Sequence, residues 1–294
     1  MIMKDNINST HTSDGLTLVL GGTGKTGRRI VQRLESRGVP TRAASRSAVP
    51  VFDWNDPDSW NDVLEGVTAA YINYAPDLAI PGAADAVRAF VERAVVHDVK
   101  RLVILSGRGE EEARHCERIV QNSGIEWTIV RASWFNQNFS EGEFLGMVLD
   151  GLITLPAGDV PEPFIDVDDI ADVAVAALSE DGHVGQIYEV TGPHLLTFTE
   201  VAEEIARASG REIQYIKIPR EDFAAGIADS GLPDDIAWLL DYLFSTVLDG
   251  RNARVCNGVQ RALNREPKDF VEYARKVAES GVWDVPLSPE RAVS

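Results

Sequence analysis

The sequence predicts an α/β protein: a Rossmann-like, doubly wound parallel sheet with a smaller, mostly helical C-terminal lobe. Three observations carry this. The run Leu16-Thr-Leu-Val-Leu-Gly21-Gly-Thr-Gly24-Lys-Thr-Gly27-Arg-Arg-Ile30 leads an apolar strand through a glycine-rich turn into an amphipathic helix. Short apolar runs then alternate with helical patterns through the first half of the chain, as right-handed βαβ units require. Finally, 294 residues with 44% apolar content are enough for one large domain with an added lobe.

Taken in order, strands are expected at Thr17–Leu20, Thr41–Ser45, Val51–Phe52, Ala69–Asn73, Arg101–Ser106 and Trp127–Arg131. The clearest helix follows Pro81, where Ala83, Ala84, Val87, Phe90, Val91, Ala94 and Val95 recur at the 3.6-residue period. Phe164–Val167 reads as a further strand. The apolar helix behind it has Asp168 or Asp169 as N-cap or first-turn acid. A strand at Gln186–Val190, a helix from about Thr199 to Ser209, a strand at Glu212–Ile218 and mostly helical sequence to about Ser280 complete the reading. The expected division is a nucleotide-binding domain over 15–155, completed by a strand and helix near 164–179, and a substrate lobe over 156–294. Residues 1–14 and 286–294 read as flexible tails.

Gly21, Gly24 and Gly27 give the spacing G-x-x-G-x-x-G. Glycine lets the backbone turn sharply and approach a pyrophosphate closely. The first helical turn then points its free N–H groups and the positive end of its dipole at that phosphate. Gly24-Lys25-Thr26 also resembles the end of a P-loop, but that motif needs a glycine five residues earlier, where Val19 stands inside the strand. The dinucleotide reading is the stronger. Its cradle is Gly21, Gly22, Thr23, Gly24, Lys25, Thr26 and Gly27.

In dinucleotide folds an acid at the end of the second strand binds the ribose 2′-hydroxyl, whereas an arginine accepts a 2′-phosphate. Here the strand ends Ala44-Ser45-Arg46-Ser47 with no acid, so NADP(H) is the expected cofactor. Asp53 is placed either to hold the adenine amino group or to cap its loop. Tyr74 and Ala75, just past the fourth strand counted, lie beside the expected nicotinamide path.

The net charge of −18 argues against nucleic-acid binding and suits a small cationic or neutral substrate. Cys116 and Cys256, the two cysteines, form neither a disulfide framework nor a C-x-x-C metal site. Asp166, Asp168 and Asp169 have a structural reason to stand at a helix start, and no metal is expected. No apolar run approaches the length of a membrane span, and the first residues lack a signal-peptide core, so a cytoplasmic monomer or homodimer is expected.

Short-chain dehydrogenases commonly use Tyr-x-x-x-Lys, in which the tyrosine protonates a developing alkoxide. None of the six tyrosines has lysine four residues later. Ser106 keeps the place of the usual serine without those partners.

The Gly-Gly-Thr-Gly-x-Thr-Gly turn, Val99–Ser106, Ser123–Arg131 and Trp134-Phe-Asn-Gln-Asn138 resemble the NmrA-like atypical short-chain dehydrogenases over nearly the whole chain. Gly24-Lys25-Thr26, Ala44–Ser47, Phe52-Asp53-Trp54 and Asp58-Ser-Trp60 are similar to the agroclavine and festuclavine dehydrogenase branch of that family. The resemblance implies NADPH-dependent reduction of a cyclic iminium or a related conjugated electrophile. That fits the missing acid, because an iminium that accepts hydride becomes a neutral amine with no proton added. Where the family reads Arg-Pro after the Trp127–Arg131 strand, this chain has Arg131-Ala132, which leaves the loop Ser133–Asn138 less constrained.

Within that loop Trp134, Phe135, Asn136 and Asn138 are the candidate substrate wall, with Trp238 and Phe244 added from the second lobe. Tyr74, Ser106 and His115 are the candidates for catalysis, His115 being equally readable as a surface histidine. Two functions follow: a reductase with an enclosed pocket, or a non-catalytic NADP(H) sensor that binds a protein partner through an exposed face.

Overall fold

The computed structural model describes residues 15–285, so the tails expected at 1–14 and 286–294 lie outside the described residues. The chain runs β1 (Leu16–Leu20), α1 (Gly27–Ser36), β2 (Thr41–Ala44), a 3-10 turn (Pro57–Ser59), α2 (Trp60–Leu64), β3 (Val67–Ile72), α3 (Ala83–Val96), β4 (Arg101–Gly107), α4 (Glu111–Gln121), β5 (Glu126–Ala132), α5 (Asn138–Glu141), α6 (Leu145–Asp150) and β6 (Leu152–Leu155). It continues through α7 (Val167–Ser179), β7 (Gln186–Val190), α8 (Phe198–Ser209), β8 (Gln214–Lys217), α9 (Arg220–Asp229), α10 (Asp234–Tyr242), a π-turn (Leu243–Val247), α11 (Gly258–Leu263) and α12 (Phe270–Glu279).

Six strands form one parallel sheet in the order β2-β1-β3-β4-β5-β7. Its order reverses between β1 and β3, the crevice where doubly wound sheets bind their ligands. Side chains alternate across the sheet as the pleat demands. Leu18, Leu20, Ile72, Leu102 and Ile104 pack against Val87 and Phe90 of α3 and Val120 of α4. Val19, Tyr71, Val103 and Val130 pack on the other face against Ile30 and Leu34 of α1 and the apolar flank of α7. Such two-sided cover is why these strands read as nearly unbroken apolar runs. A third core joins Phe139, Phe144, Ile153, Phe198, Phe270 and Trp283 around the small parallel pair β6–β8. Among the described residues no helix is long and apolar enough to cross a membrane.

Two expected strands reduce to single bridges. Val51–Phe52 contributes only the bridge Ser45↔Val51. Phe52 instead turns its ring into an aromatic cluster with Trp54, Trp60 and Phe90, at centroid distances of 5.0, 6.2 and 5.8 Å. Phe164–Val167 forms only the bridge Phe135↔Ile165, because Pro161 and Pro163 have no N–H for a ladder. Asp166 rather than Asp168 or Asp169 is the N-cap of α7, accepting from the Asp168 N–H, and the two later acids occupy its first turn. The short strand β6, which pairs with β8, went unread in the sequence.

Candidate functional site

The turn after β1 is built by its glycines. Gly21 takes φ +66, and a Cβ at Gly27 would lie 2.1 Å from the Gly21 carbonyl oxygen, so only glycine lets α1 start this close to the turn. The Gly22 N–H donates to the Ala44 carbonyl at 3.1 Å and the Gly24 N–H to Gly21 at 2.8 Å. No backbone hydrogen bond among the described residues uses the N–H groups of Thr23, Lys25, Thr26 or Gly27. A Cβ at Gly24 would meet only the Gly21 oxygen, at 3.2 Å, so the mouth of the turn is open. Free donors at the start of a ten-residue helix, beside an open glycine, fit a pyrophosphate. Thr26 faces inward, its hydroxyl receiving the buried Tyr71 phenol at 3.1 Å.

At the far end of β2, Ser45 and Ser47 hold their hydroxyls 3.2 Å apart. Arg46 between them is exposed and makes no ion pair among the described residues. The Asp53 carboxylate accepts from the Asn55 N–H at 2.9 Å, closing its own loop. Ala75 is exposed, and Tyr74 beside it rests on Trp54 with ring centroids 4.8 Å apart.

A cavity of about 250 Å³ opens beyond the carboxyl ends of β3, β4 and β5, where the fold places its ligands. Lys25, Tyr74, Ser106, Trp134, Phe135 and Asn138 all reach its wall. Lys25 ties the glycine turn to the β5 loop by donating to Asn138 at 3.1 Å and to Glu143 at 3.3 Å. The loop does not depend on a proline for its shape. The Ile165 N–H donates to Trp134 at 2.8 Å, the Asn136 N–H donates to Ile165 at 2.9 Å, and the Trp134 ring lies 5.3 Å from Phe244 and 6.1 Å from Phe144.

Other candidates stand elsewhere. Asn136 is fully buried and is not on the cavity wall, and neither polar atom of its amide has a partner. His115 sits in a shallow groove between α3 and α4, away from the cavity. Trp238 is 41% exposed and stacks on Tyr242 outside the cavity, while Ile236, Leu239 and Leu240 of the same helix line it. Phe244 belongs to the third core, behind Trp134. Ser106 reaches the wall, but its hydroxyl donates to Glu117 at 2.6 Å. Glu117 in turn grips Arg131 at 2.9 and 2.5 Å, so this serine is bound into a buried ionic cluster.

The largest omission from the sequence reading is a set of acids. Asp77, Glu110, Glu143 and Glu162 line the cavity against only Lys25 and Arg108. Glu162 is fully buried, and burial pushes its carboxyl up to about 7 despite Arg108 and the Ser133 hydroxyl at 3.3 Å. Glu110 is raised well above the usual carboxylate range by burial and by the neighbouring Asp77. Burial likewise raises the Tyr74 phenol. Asp77 and Glu110 follow β3 and β4 closely, where the rule of ligands beyond strand ends directs a search. Glu162 lies in an irregular segment and had no such signal.

The sequence matches the NAD(P)H-binding family over residues 21–181 and the NmrA-like family over residues 111–274. It is 32% identical to the uncharacterized oxidoreductase YesF of Bacillus subtilis, covering 90% of this chain and 96% of that one. It is 31% identical to agroclavine dehydrogenase of Claviceps fusiformis, covering 87% and 95%. An NADPH-dependent quinone oxidoreductase from Escherichia coli, complexed with NADPH, shares the fold with TM-score 0.75 at 23% identity, covering 89% and 99%. With two matched families each spanning more than half the chain and a relative 32% identical over 90% of it, this protein belongs to the NmrA-like family as an NAD(P)H-dependent oxidoreductase.

Proposed function

We propose that the protein is an NADPH-dependent reductase of small, positively charged electrophiles, cyclic iminium ions above all. The observation that carries this is the cavity wall, where four carboxyl side chains face two basic ones among aromatic rings. Such a wall attracts a cation by charge and by the faces of Tyr74, Trp134, Phe135 and Phe144. The clavine dehydrogenases among its relatives agree with this reading.

The glycine turn holds the pyrophosphate, and Arg46 with Ser45 and Ser47 meets the 2′-phosphate. The reduced nicotinamide supplies hydride. The chain's own residues then have three tasks. The aromatic wall orients a flat cation against the cofactor face. The carboxylates draw the cation into the cavity and hold it there until hydride neutralises it. The roof of Ile236, Leu239 and Leu240 keeps water from the reacting carbon. No proton donor is required, so the commitment of Ser106 to Glu117 and the missing Tyr-x-x-x-Lys pair are both tolerated.

The test is NADPH oxidation with a panel of N-alkyl cyclic iminium salts and neutral conjugated ketones, run on the wild type and on Arg46→Ser. We expect turnover with the iminium salts, and an NADPH KM raised about tenfold by the substitution while that for NADH moves little. Tight NADPH binding with no turnover of any electrophile would leave the protein a nucleotide sensor.

A further inference from the structure

We propose that the carboxyl pair Asp77–Glu110 is the subsite that takes the positively charged nitrogen of the substrate. This rests on the reductase reading above and adds to it the atoms that recognise the cation.

Glu110 is 6% exposed and lines the cavity, and no N–H or hydroxyl donor among the described residues reaches its Oε2. A buried carboxyl with another carboxyl beside it and no base gains a countercharge only from a ligand. Its side chain folds back over the last residue of β4, where a Cβ on Gly107 would lie 2.0 Å from Glu110 Oε1. A side chain at 107 would displace this carboxyl from the strand end. Asp77 comes from the loop after β3, lines the same wall, raises the Glu110 carboxyl by its charge, and is steadied by the Ala79 N–H at 2.8 Å.

The groups that face the pair from neighbouring elements are Glu117 and the Cys116 thiol of α4, the Tyr242 phenol of α10, and Arg251, whose guanidinium donates to the Gly109 carbonyl at 3.1 Å and is paired with Asp249 at 2.8 Å. Arg108, although close in sequence, turns its guanidinium to the carbonyls of Asn252 and Arg254 at 3.3 and 3.2 Å. Burial and their mutual repulsion hold both carboxyls above the ordinary carboxylate range, so the free pair retains a proton more readily than solvated carboxylates do. An incoming cation supplies the missing countercharge and expels that proton. Cation binding is thus coupled to the release of a proton, and affinity for the cation rises with pH until the pair ionises by itself. A neutral ligand of the same shape gains nothing from the pair.

The experiment uses the full chain saturated with NADP⁺. Binding of N,N-dimethyl-tetrahydroisoquinolinium, a permanent cation that accepts no hydride, is compared with binding of neutral tetrahydronaphthalene. Calorimetry in buffers of different ionisation enthalpy reads the proton. The wild type should favour the cation and release close to one proton near neutral pH. Glu110→Gln should cut the cation-over-neutral affinity ratio at least about tenfold and abolish the proton release. Asp77→Asn, on a partly exposed loop, should do the same and keeps the test available if the buried substitution does not fold. Heat of cation binding that does not depend on the buffer, or an affinity ratio unchanged in both variants, overturns the subsite. A variant that slows neutral quinone reduction more than iminium reduction also overturns it, by making the pair a proton donor. Wild-type turnover of iminium salts together with an unchanged ratio would sink the subsite alone; absent turnover would sink the reductase reading itself.

Discussion

The seam between α1 and α7 and the cavity beyond the strand ends are both rich in acids, and they treat them in opposite ways. In the seam Asp168, Asp172 and Glu141 each have their bases. Asp168 meets Arg29 at 3.1 Å, Arg33 at 2.8 Å and Lys268 at 3.0 Å; Asp172 meets Arg33 at 2.6 Å and Arg265 at 2.5 Å; Glu141 clasps Arg28 and Arg29. Burial alone would raise the Asp168 carboxyl, but Lys268 and Arg33 outweigh it and hold it at about 2. In the cavity, Glu162 has one serine hydroxyl and the field of Arg108 without an ion pair, and burial holds it at about 7. The seam uses charge to fasten a helix to the sheet. The cavity keeps Asp77, Glu110 and Glu162 poorly solvated without a base at bonding distance, at a cost to stability, and a site that takes a cation has a use for such carboxyls.

Substitutions can break this contrast from either side. The largest effect is expected where a buried pair is fully matched. Glu117→Gln removes the buried carboxylate and leaves the half-buried Arg131 guanidinium with Glu189 alone, and should cost about 3 kcal/mol in urea unfolding, whatever its effect on turnover. At Glu162 the sign reverses. The folded carboxyl titrates at about 7 against an ordinary 4.5, so the wild type loses stability as pH rises through that window. Glu162→Gln should therefore melt higher than the wild type at about pH 8, by on the order of 2 kcal/mol, and the gain should vanish at about pH 4. A gain that does not change with pH would mean that Glu162 is not held protonated. The smallest effect belongs to the seam. Asp168→Asn should cost about 1 kcal/mol at neutral pH, because solvent screens a partly exposed network. Asp168 titrates below its ordinary value of 3.8, so this stability is present above that value and is lost as pH falls toward about 2. The penalty should disappear over the same range.

The nucleotide half of this account was legible because its signals are local. Glycines at 21, 24 and 27, an arginine at 46 and alternating apolar runs each state a backbone or charge requirement within a few residues. The loop Trp134–Asn138 was also legible, although only three of its four named residues reach the cavity. The cavity's acids were not. Asp77, Glu110 and Glu162 come from three separate segments, and their loss of solvation is a property of packing, which spacing does not carry. Trp238 shows the same limit at the scale of one helix. The sequence marks α10 as apolar, but the rotation that faces Leu239 inward and Trp238 outward is set by how the helix seats on the cavity. Val51–Phe52 and Phe164–Val167 were apolar enough for strands, and neighbouring prolines or turns denied them a ladder.

On the proposed reading, hydride passes from the bound cofactor to a cation held in the acidic cavity. This transfer is tested most directly with NADPH deuterated at the transferable C4 position and N-methyl-3,4-dihydroisoquinolinium as acceptor, the product being read by mass and NMR spectroscopy. The account predicts one deuterium on the former iminium carbon, none on nitrogen, and loss of turnover when Gly24→Ala closes the mouth of the nucleotide turn. NADPH that binds tightly yet delivers no deuterium to this or any other electrophile would contradict it.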